Sequence, residues 1–156
     1  MLTIRRYRPE DNAAAKELNY AGLAQMRPDI NWKGIEVADG DYDDIESIYI
    51  NRQGEFLVGT IGNEVVATGA VKKLDEATAE IKRIRVKPDY QRKGYGETML
   101  RELMQAARKL GYKKIRIDTM TTNIRAQQMF KKVGFKNPIP GKIDEYDVFF
   151  YFMDLK

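Results

Sequence analysis

The chain has 156 residues, 43% hydrophobic and 32% charged, and its 27 Lys and Arg against 23 Asp and Glu leave a net charge of +4. That size and balance suit one domain over residues 1–156, and without a long apolar run or a charged-then-apolar leader the expectation is a soluble, cytoplasmic protein with no membrane contact. Lack of both Cys and His removes disulfides, the usual zinc and copper ligands and every Ser-His or Cys-His nucleophile, so no metal is expected and any group transfer should pass directly from donor to acceptor in a ternary complex.

Residues Leu2-Thr3-Ile4-Arg5-Arg6-Tyr7 alternate apolar and polar side chains and predict a strand; Arg8-Pro9-Glu10-Asp11 breaks it and opens a helix. Ala14, Leu18 and Ala21 share one face of that helix, which should fade before Pro28 because a residue preceding proline is pushed out of the α region. Residues 27–40 read as loop, and the acidic stretch from Asp39 to Glu46 opens a second short helix, where negative charge suits the helix dipole. Strands follow over 56–61 and 64–71, joined by the two-residue turn Gly62-Asn63.

Between Glu80 and Val86 the alternation breaks phase: Ile84 and Val86 share a face and Ile81 falls on the other, which predicts a β-bulge between Ile81 and Ile84. After Gly94-Tyr95-Gly96, residues Met99, Leu100, Leu103, Met104, Ala107 and Leu110 line one face of a helix that Gly111 should cap. Ile115 to Asp118 is the next strand, so residues 80–120 form a strand-helix-strand unit, usually parallel. A helix over 123–132 presents Ala126, Met129, Phe130 and Val133 and ends at Gly134; Pro138, Pro140 and Gly141 mark a loop. Tyr146 to Met153 is a final strand apolar on both faces, suited to burial or to a homodimer contact.

The segment Gln91-Arg92-Lys93-Gly94-Tyr95-Gly96 stands between a strand and the strongest helix. Glycines allow close backbone approach, the first helical amides are unpaired donors, and the dipole is positive there, so the chemistry points to phosphate. Its spacing matches neither the P-loop nor the three-glycine dinucleotide fingerprint, and the same glycines also suit a tight strand-helix turn with no ligand. Following Ile84-Arg85-Val86-Lys87-Pro88, the segment resembles the pyrophosphate motif of the GNAT superfamily of N-acetyltransferases: Gln or Arg, two residues, Gly, one residue, then Gly or Ala, after a strand ending in Val-x-Pro. Asn123, Ala126, Gly134 and Phe135 match a second block of that family.

The resemblance in element order covers nearly the whole chain, with the specific motifs inside residues 80–135. It implies a single α/β domain with a mixed, mostly antiparallel sheet, flanked by helices and splayed at a central bulge to admit coenzyme A. It implies acetyl-CoA as cofactor, with the backbone of Ile84, Arg85 and Val86 pairing with the pantetheine arm. Gln91, Arg92, Lys93, Gly94, Tyr95, Gly96, Glu97 and Thr98 would hold the pyrophosphate, and Asn123 and Phe130 would contact the lower part of the cofactor. Read locally, Asn123 also suits a helix N-cap and the bulge a plain sheet defect.

Acetyl transfer to an amine needs a base, because an ammonium with a pKa of about 10.4 must lose a proton before it attacks. By the resemblance Glu80 and Asp118 are the two candidates. Phe130 stands where many relatives carry a tyrosine that protonates the departing thiolate; Tyr7, Tyr90, Tyr95, Tyr112 and Tyr146 are the alternatives. The family places acceptor contacts near Asp39, Asp41, Asp43, Asp44 and Glu46 and near Asp144, Glu145 and Asp147, so the acceptor is an amine and a cationic one would suit both acidic groups. A coenzyme A sensor or scaffold that has lost catalysis is the alternative; nucleic-acid binding is not expected, since Lys113-Lys114 and Lys131-Lys132 sit at helix ends with no accompanying motif.

Overall fold

The computed structural model describes residues 1–33, 35 and 39–156; residues 34 and 36–38, inside the loop expected over 27–40, lie outside the described residues. Strand β1 (Thr3–Arg6) leads into helix α1 (Asn12–Met26), and a 3-10 turn over Gly40–Asp44 precedes the short α2 (Ile45–Ile48). Then come β2 (Glu55–Ile61), β3 (Glu64–Lys73), β4 (Thr78–Val86), α3 (Tyr95–Lys109), β5 (Lys114–Met120), α4 (Ile124–Val133), β6 (Lys136–Ile143) and β7 (Tyr146–Asp154). The strands form one seven-stranded sheet in the order β1-β2-β3-β4-β5-β7-β6. Among the described strands only β4 and β5 run parallel, joined across α3; the other neighbours are antiparallel. Among the described residues no helix is long and apolar enough to cross a membrane.

Each face of the sheet has its own core. On one, Met99, Leu100 and Leu103 of α3 and Phe130 of α4 pack against Ile81, Ile115 and Ile117, as the apolar stripes of both helices require. On the other, Phe56 is ringed edge-on by Tyr7, Tyr42 and Tyr49 at centroid distances of 5.5, 5.9 and 5.5 Å, with Ala15 of α1 in the same cluster.

The bulge falls where the phase break predicts it. Lys82 pairs with Ala70 and Arg85 with Thr68, so Arg83 and Ile84 stand opposite the single residue Gly69. Arg83 takes a left-handed φ of 61°, and its carbonyl accepts a hydrogen bond from Thr68 Oγ1 at 2.9 Å. Past this point β4 and β5 part: they pair only from Thr78 to Glu80 and from Lys114 to Arg116, while β5 continues along β7 as far as Met120.

One expected loop is a strand. Residues 136–143, with Pro138 and Pro140, form edge strand β6, which pairs with β7 through a register shift between Lys136 and Ile139. Proline cannot donate to a ladder and so marks turns in a sequence, but an edge strand tolerates it on the unpaired side. The pairing makes β7 an interior strand between β5 and β6; Phe149, Tyr151 and Met153 join the core on the α3 side, while Phe152 on the other face is 42% exposed.

Gly69 fixes how closely α3 approaches the bulge. A Cβ at Gly69 would stand 2.5 Å from Leu103 Cδ1 and 2.9 Å from Met99 Cγ, both in fully buried side chains. Gly69→Ala is therefore expected to destabilise the fold by about 1–3 kcal/mol through overpacking, read as a lower urea midpoint at unchanged m-value.

Candidate active site

The parting of β4 and β5 opens a groove of about 810 Å³ whose walls come from α1, the end of β4, the turn before α3, and α4. Ile84, Arg85 and Val86 line it along the strand, and Gln91, Arg92, Gly94, Tyr95, Gly96 and Glu97 line it at the turn. Arg92 and Gly94 take left-handed φ values of 64° and 84°, which swing the chain from strand into helix. Thr98 N–H donates to Gly94 O at 3.0 Å, so the amides just before it are the unpaired donors that open α3. With the positive end of the helix dipole, these donors suit a phosphate group.

The wall opposite is α4. Asn123 caps it, accepting from Ala126 N–H at 3.1 Å, and also lines the groove. Gln91 ties the walls together: its Nε2 donates to Val86 O at 2.9 Å and to Gln25 of α1 at 3.0 Å, and its Oε1 accepts from Arg125 of α4 at 3.4 Å. Glu97 pairs with Lys132 at 3.1 Å and Arg101 at 3.2 Å.

Where the strands part, Glu80 is 9% exposed. Its Oε2 accepts from Arg116 Nη2 at 2.6 Å, its Oε1 lies 3.9 Å from Lys82 Nζ, and the Arg116 guanidinium stacks 5.3 Å from the Phe150 ring. Asp118, two residues past Arg116, accepts no hydrogen bond from any described residue. Burial, and then the nearby Glu80 carboxylate, push its pKa above the ordinary value. Burial also lowers the pKa of Lys82, aided by the charge of Arg83.

The bulge itself is anchored from the α1 side. Arg83 donates to both oxygens of Asp41 at 2.7 and 3.0 Å, its guanidinium lies 5.4 Å from the Tyr42 ring, and Asp41 accepts from the Tyr49 hydroxyl. Burial opposes the charge on Asp41, but Arg83 and the Tyr49 hydroxyl leave its carboxyl below the usual range.

Several expected site residues stand elsewhere. Lys93 and Thr98 are exposed and do not line the groove. Phe130 is 4% exposed and packs edge-on against Tyr151 at 5.3 Å and beside Phe135 at 5.9 Å; its neighbour Met129 lines the groove instead. Of the candidate tyrosines, Tyr7 holds the Phe56 cluster and Tyr112 donates to Gln53 O at 2.6 Å, whereas Tyr90 and Tyr95 line the groove. The first acidic group is largely consumed by the fold: Asp39 accepts from Tyr20, Asp41 binds Arg83, Asp43 pairs with Lys16 at 2.8 Å and Asp44 caps Ser47 N–H. In the second, Asp147 pairs with Lys142 at 3.1 Å. Gly22, Gln25 and Arg125 escaped the sequence reading, which named Tyr90 only as a possible acid and Met129 only as part of an apolar helix face; helical spacing from Asn123 could have indicated Arg125.

A profile of the Acetyltransferase (GNAT) family matches residues 23–135. The N-acetyltransferase YvbK of Bacillus subtilis, itself uncharacterized, is 32% identical over 93 residues, 60% of this chain and 59% of its own length. Human N-acetyltransferase 8 is 28% identical over 62% of this chain and 45% of its own length. The chain thus spans about half the length of the curated relatives it matches. The acetyltransferase of GNAT family from Staphylococcus aureus Mu50 superposes with a TM-score of 0.84 at 22% identity, covering 100% of both chains. YncA from Salmonella typhimurium, solved with its cofactor acetyl-CoA, does so at 0.79 and 22% identity, over 99% of this chain and 94% of that one. At such identities the likeness concerns the fold.

A carboxyl whose folded pKa is raised holds its proton longer folded than unfolded, so its contribution to stability declines as pH rises through the window between the two values. Asp118 is in that position. D118N is expected to melt at a higher temperature than the parent at pH 7, with the gain vanishing below the unfolded-state value of about 3.9. Thermal melts from pH 3 to 8 read this directly.

Proposed function

The chain belongs to the GNAT acetyltransferase family, and from that premise we propose that it binds acetyl-CoA in the groove between β4 and β5 and transfers the acetyl group directly to a primary amine. The observation that carries this reading is the junction of a phosphate-suited helix start with two parted strands and, at the parting, a half-buried carboxylate, Asp118, whose side chain accepts no hydrogen bond from any described residue; neither it nor Glu80 is among the residues that line the groove. The groove residues fit such a cofactor: amides at the start of α3 and the cations Arg92, Arg125 and Lys132 suit its phosphates. The strand end at Ile84, Arg85 and Val86, released from β5, offers backbone groups to its amide-bearing arm.

When bound, acetyl-CoA supplies an acetyl group on a thiol that leaves as the anion near neutral pH, with a pKa of about 8.5 judged from cysteine. The residues of the chain position the amine and take its proton. We assign the base role to Asp118 and a supporting role to Glu80. A base works best when its pKa approaches the working pH and its lone pairs are free. Burial moves the pKa of Asp118 in that direction, and its carboxylate accepts no hydrogen bond from any described residue, whereas Glu80 is held by Arg116 and approached by Lys82. Tyr90 and Tyr95 are the groove tyrosines available to meet the thiolate that Phe130 cannot.

The acceptor is an amine, but the acidic groups that suggested a cationic one are mostly committed to internal contacts and lend that idea little support. The second reading, a coenzyme A sensor without catalysis, draws on Phe130 alone.

Isothermal titration with acetyl-CoA followed by thiol release across an amine panel separates the readings: binding with turnover supports the enzyme, binding without turnover supports the sensor, and absence of binding defeats both. D118N is expected to lower kcat about 10²–10⁴-fold, and Glu80→Gln to lower it less; the reverse order would transfer the base role to Glu80. Gly94→Val places a β-branched residue at a φ of 84° and is expected to weaken acetyl-CoA binding at least about tenfold by displacing the helix-start amides.

A further inference from the structure

Three cations, Lys82, Arg83 and Arg85, follow one another on the α1 side of β4. Arg83 is matched by Asp41 at 2.7 Å. Lys82 has only Glu80 at 3.9 Å, a carboxylate already taken by Arg116 at 2.6 Å. Arg85 has no carboxylate within ion-pairing distance among the described residues. Its Nε donates to Asn19 Oδ1 at 3.2 Å and its Nη1 to the carbonyl of Ile84 at 3.3 Å, and its Nη2 bonds to no described residue. Arg5, Arg83 and Arg116, the other guanidiniums drawn in between elements, each hold a carboxylate at 2.8, 2.7 and 2.6 Å.

The position of Arg85 is built. A Cβ at Gly22 would stand 2.5 Å from Arg85 Cδ and 2.8 Å from its Nε, so α1 carries no side chain where the arginine crosses it. Asn19, fully buried one turn earlier, orients the Nε. A half-buried guanidinium without a counter-charge among the described residues is poised to take an anion, and its partial burial lowers its pKa. Arg85 lines the groove, so an anion can reach it there.

Two anions could enter the groove, the phosphates of the cofactor and a group on the acceptor. The phosphate-suited amides belong to α3, on the face where Ile84 and Val86 pack; Arg85 leaves β4 on the opposite face, toward α1. On that basis, and resting on the acetyl-transfer reading, we propose that the acceptor is an amine that also bears a carboxylate, a substrate of the amino-acid class, and that Arg85 receives the carboxylate. The guanidinium fork matches a carboxylate in two parallel hydrogen bonds. Recognition then has two poles, with Asp118 and Glu80 meeting the amine and Arg85 meeting the acid.

The test is a panel of amino acids, each paired with the same amine lacking its carboxylate, assayed by thiol release after acetyl-CoA binding has been established by calorimetry. At least one amino acid should exceed its partner amine in kcat/KM by tenfold or more, and R85Q should bring that ratio close to one. Because the ratio compares two acceptors on the same protein, any effect of R85Q on the cofactor cancels. Transfer to no amino acid, a ratio near or below one in the parent, or an equal loss for both members of the pair in R85Q overturns the proposal. That last outcome would assign Arg85 to the cofactor phosphates or to the fold. Failure of acetyl-CoA to bind overturns the transfer reading itself, and the proposal falls with it.

Discussion

Strands β4 and β5 share three residue pairs before they diverge, and the site depends on that short ladder. A parallel sheet that stayed zipped would satisfy its backbone internally and leave nothing for a ligand. The bulge at Arg83 and Ile84, set against a glycine on β3, breaks the regular course of β4 just after the last pair, while β5 keeps its hydrogen bonds by following β7. Backbone groups of β4 are thereby released on one side without unravelling the sheet on the other, and the turn into α3 brings unpaired amides to the end of the same opening.

A left-handed arginine in a strand is strained, and it persists because its surroundings over-determine it. Asp41, Tyr42 and Tyr49 converge on the Arg83 guanidinium, and Thr68 holds its carbonyl. Those residues come from the segment after α1 and from β3, so the bulge is clamped from outside β4. An arrangement that resembles an acidic acceptor surface in the linear sequence is thus, for Asp41, an internal strut.

Charge at the parting is distributed unevenly, and the unevenness is where chemistry becomes possible. Arg116 and Glu80 neutralise each other; Asp118 and Arg85 have no counter-ion at contact distance among the described residues. A half-buried carboxylate and a half-buried guanidinium kept apart by the fold each retain the capacity to bind something of opposite sign, in one case a protonated amine and in the other an anion.

Much of this was legible in the chain. The Gly62-Asn63 hairpin, the apolar stripe of α3, the capping role of Asn123 and the phosphate-suited turn all follow from backbone rules that act over a few residues, and the bulge announced itself as a broken period of two at Ile81 and Ile84. Tertiary structure alone decided what each side chain meets. Pro138 and Pro140 read as loop until β7 supplied a partner, Phe130 turned into the core beside Tyr151, Asp41 found its mate forty-two residues on, and Asp39 and Asp43 found theirs one helix back. Whether Arg85 is paired depends on Asn19 and Gly22, more than sixty residues earlier. Local conformation is dictated by sterics between neighbours and can be read from them; partnership across the fold is dictated by packing, which brings together residues that no spacing rule connects.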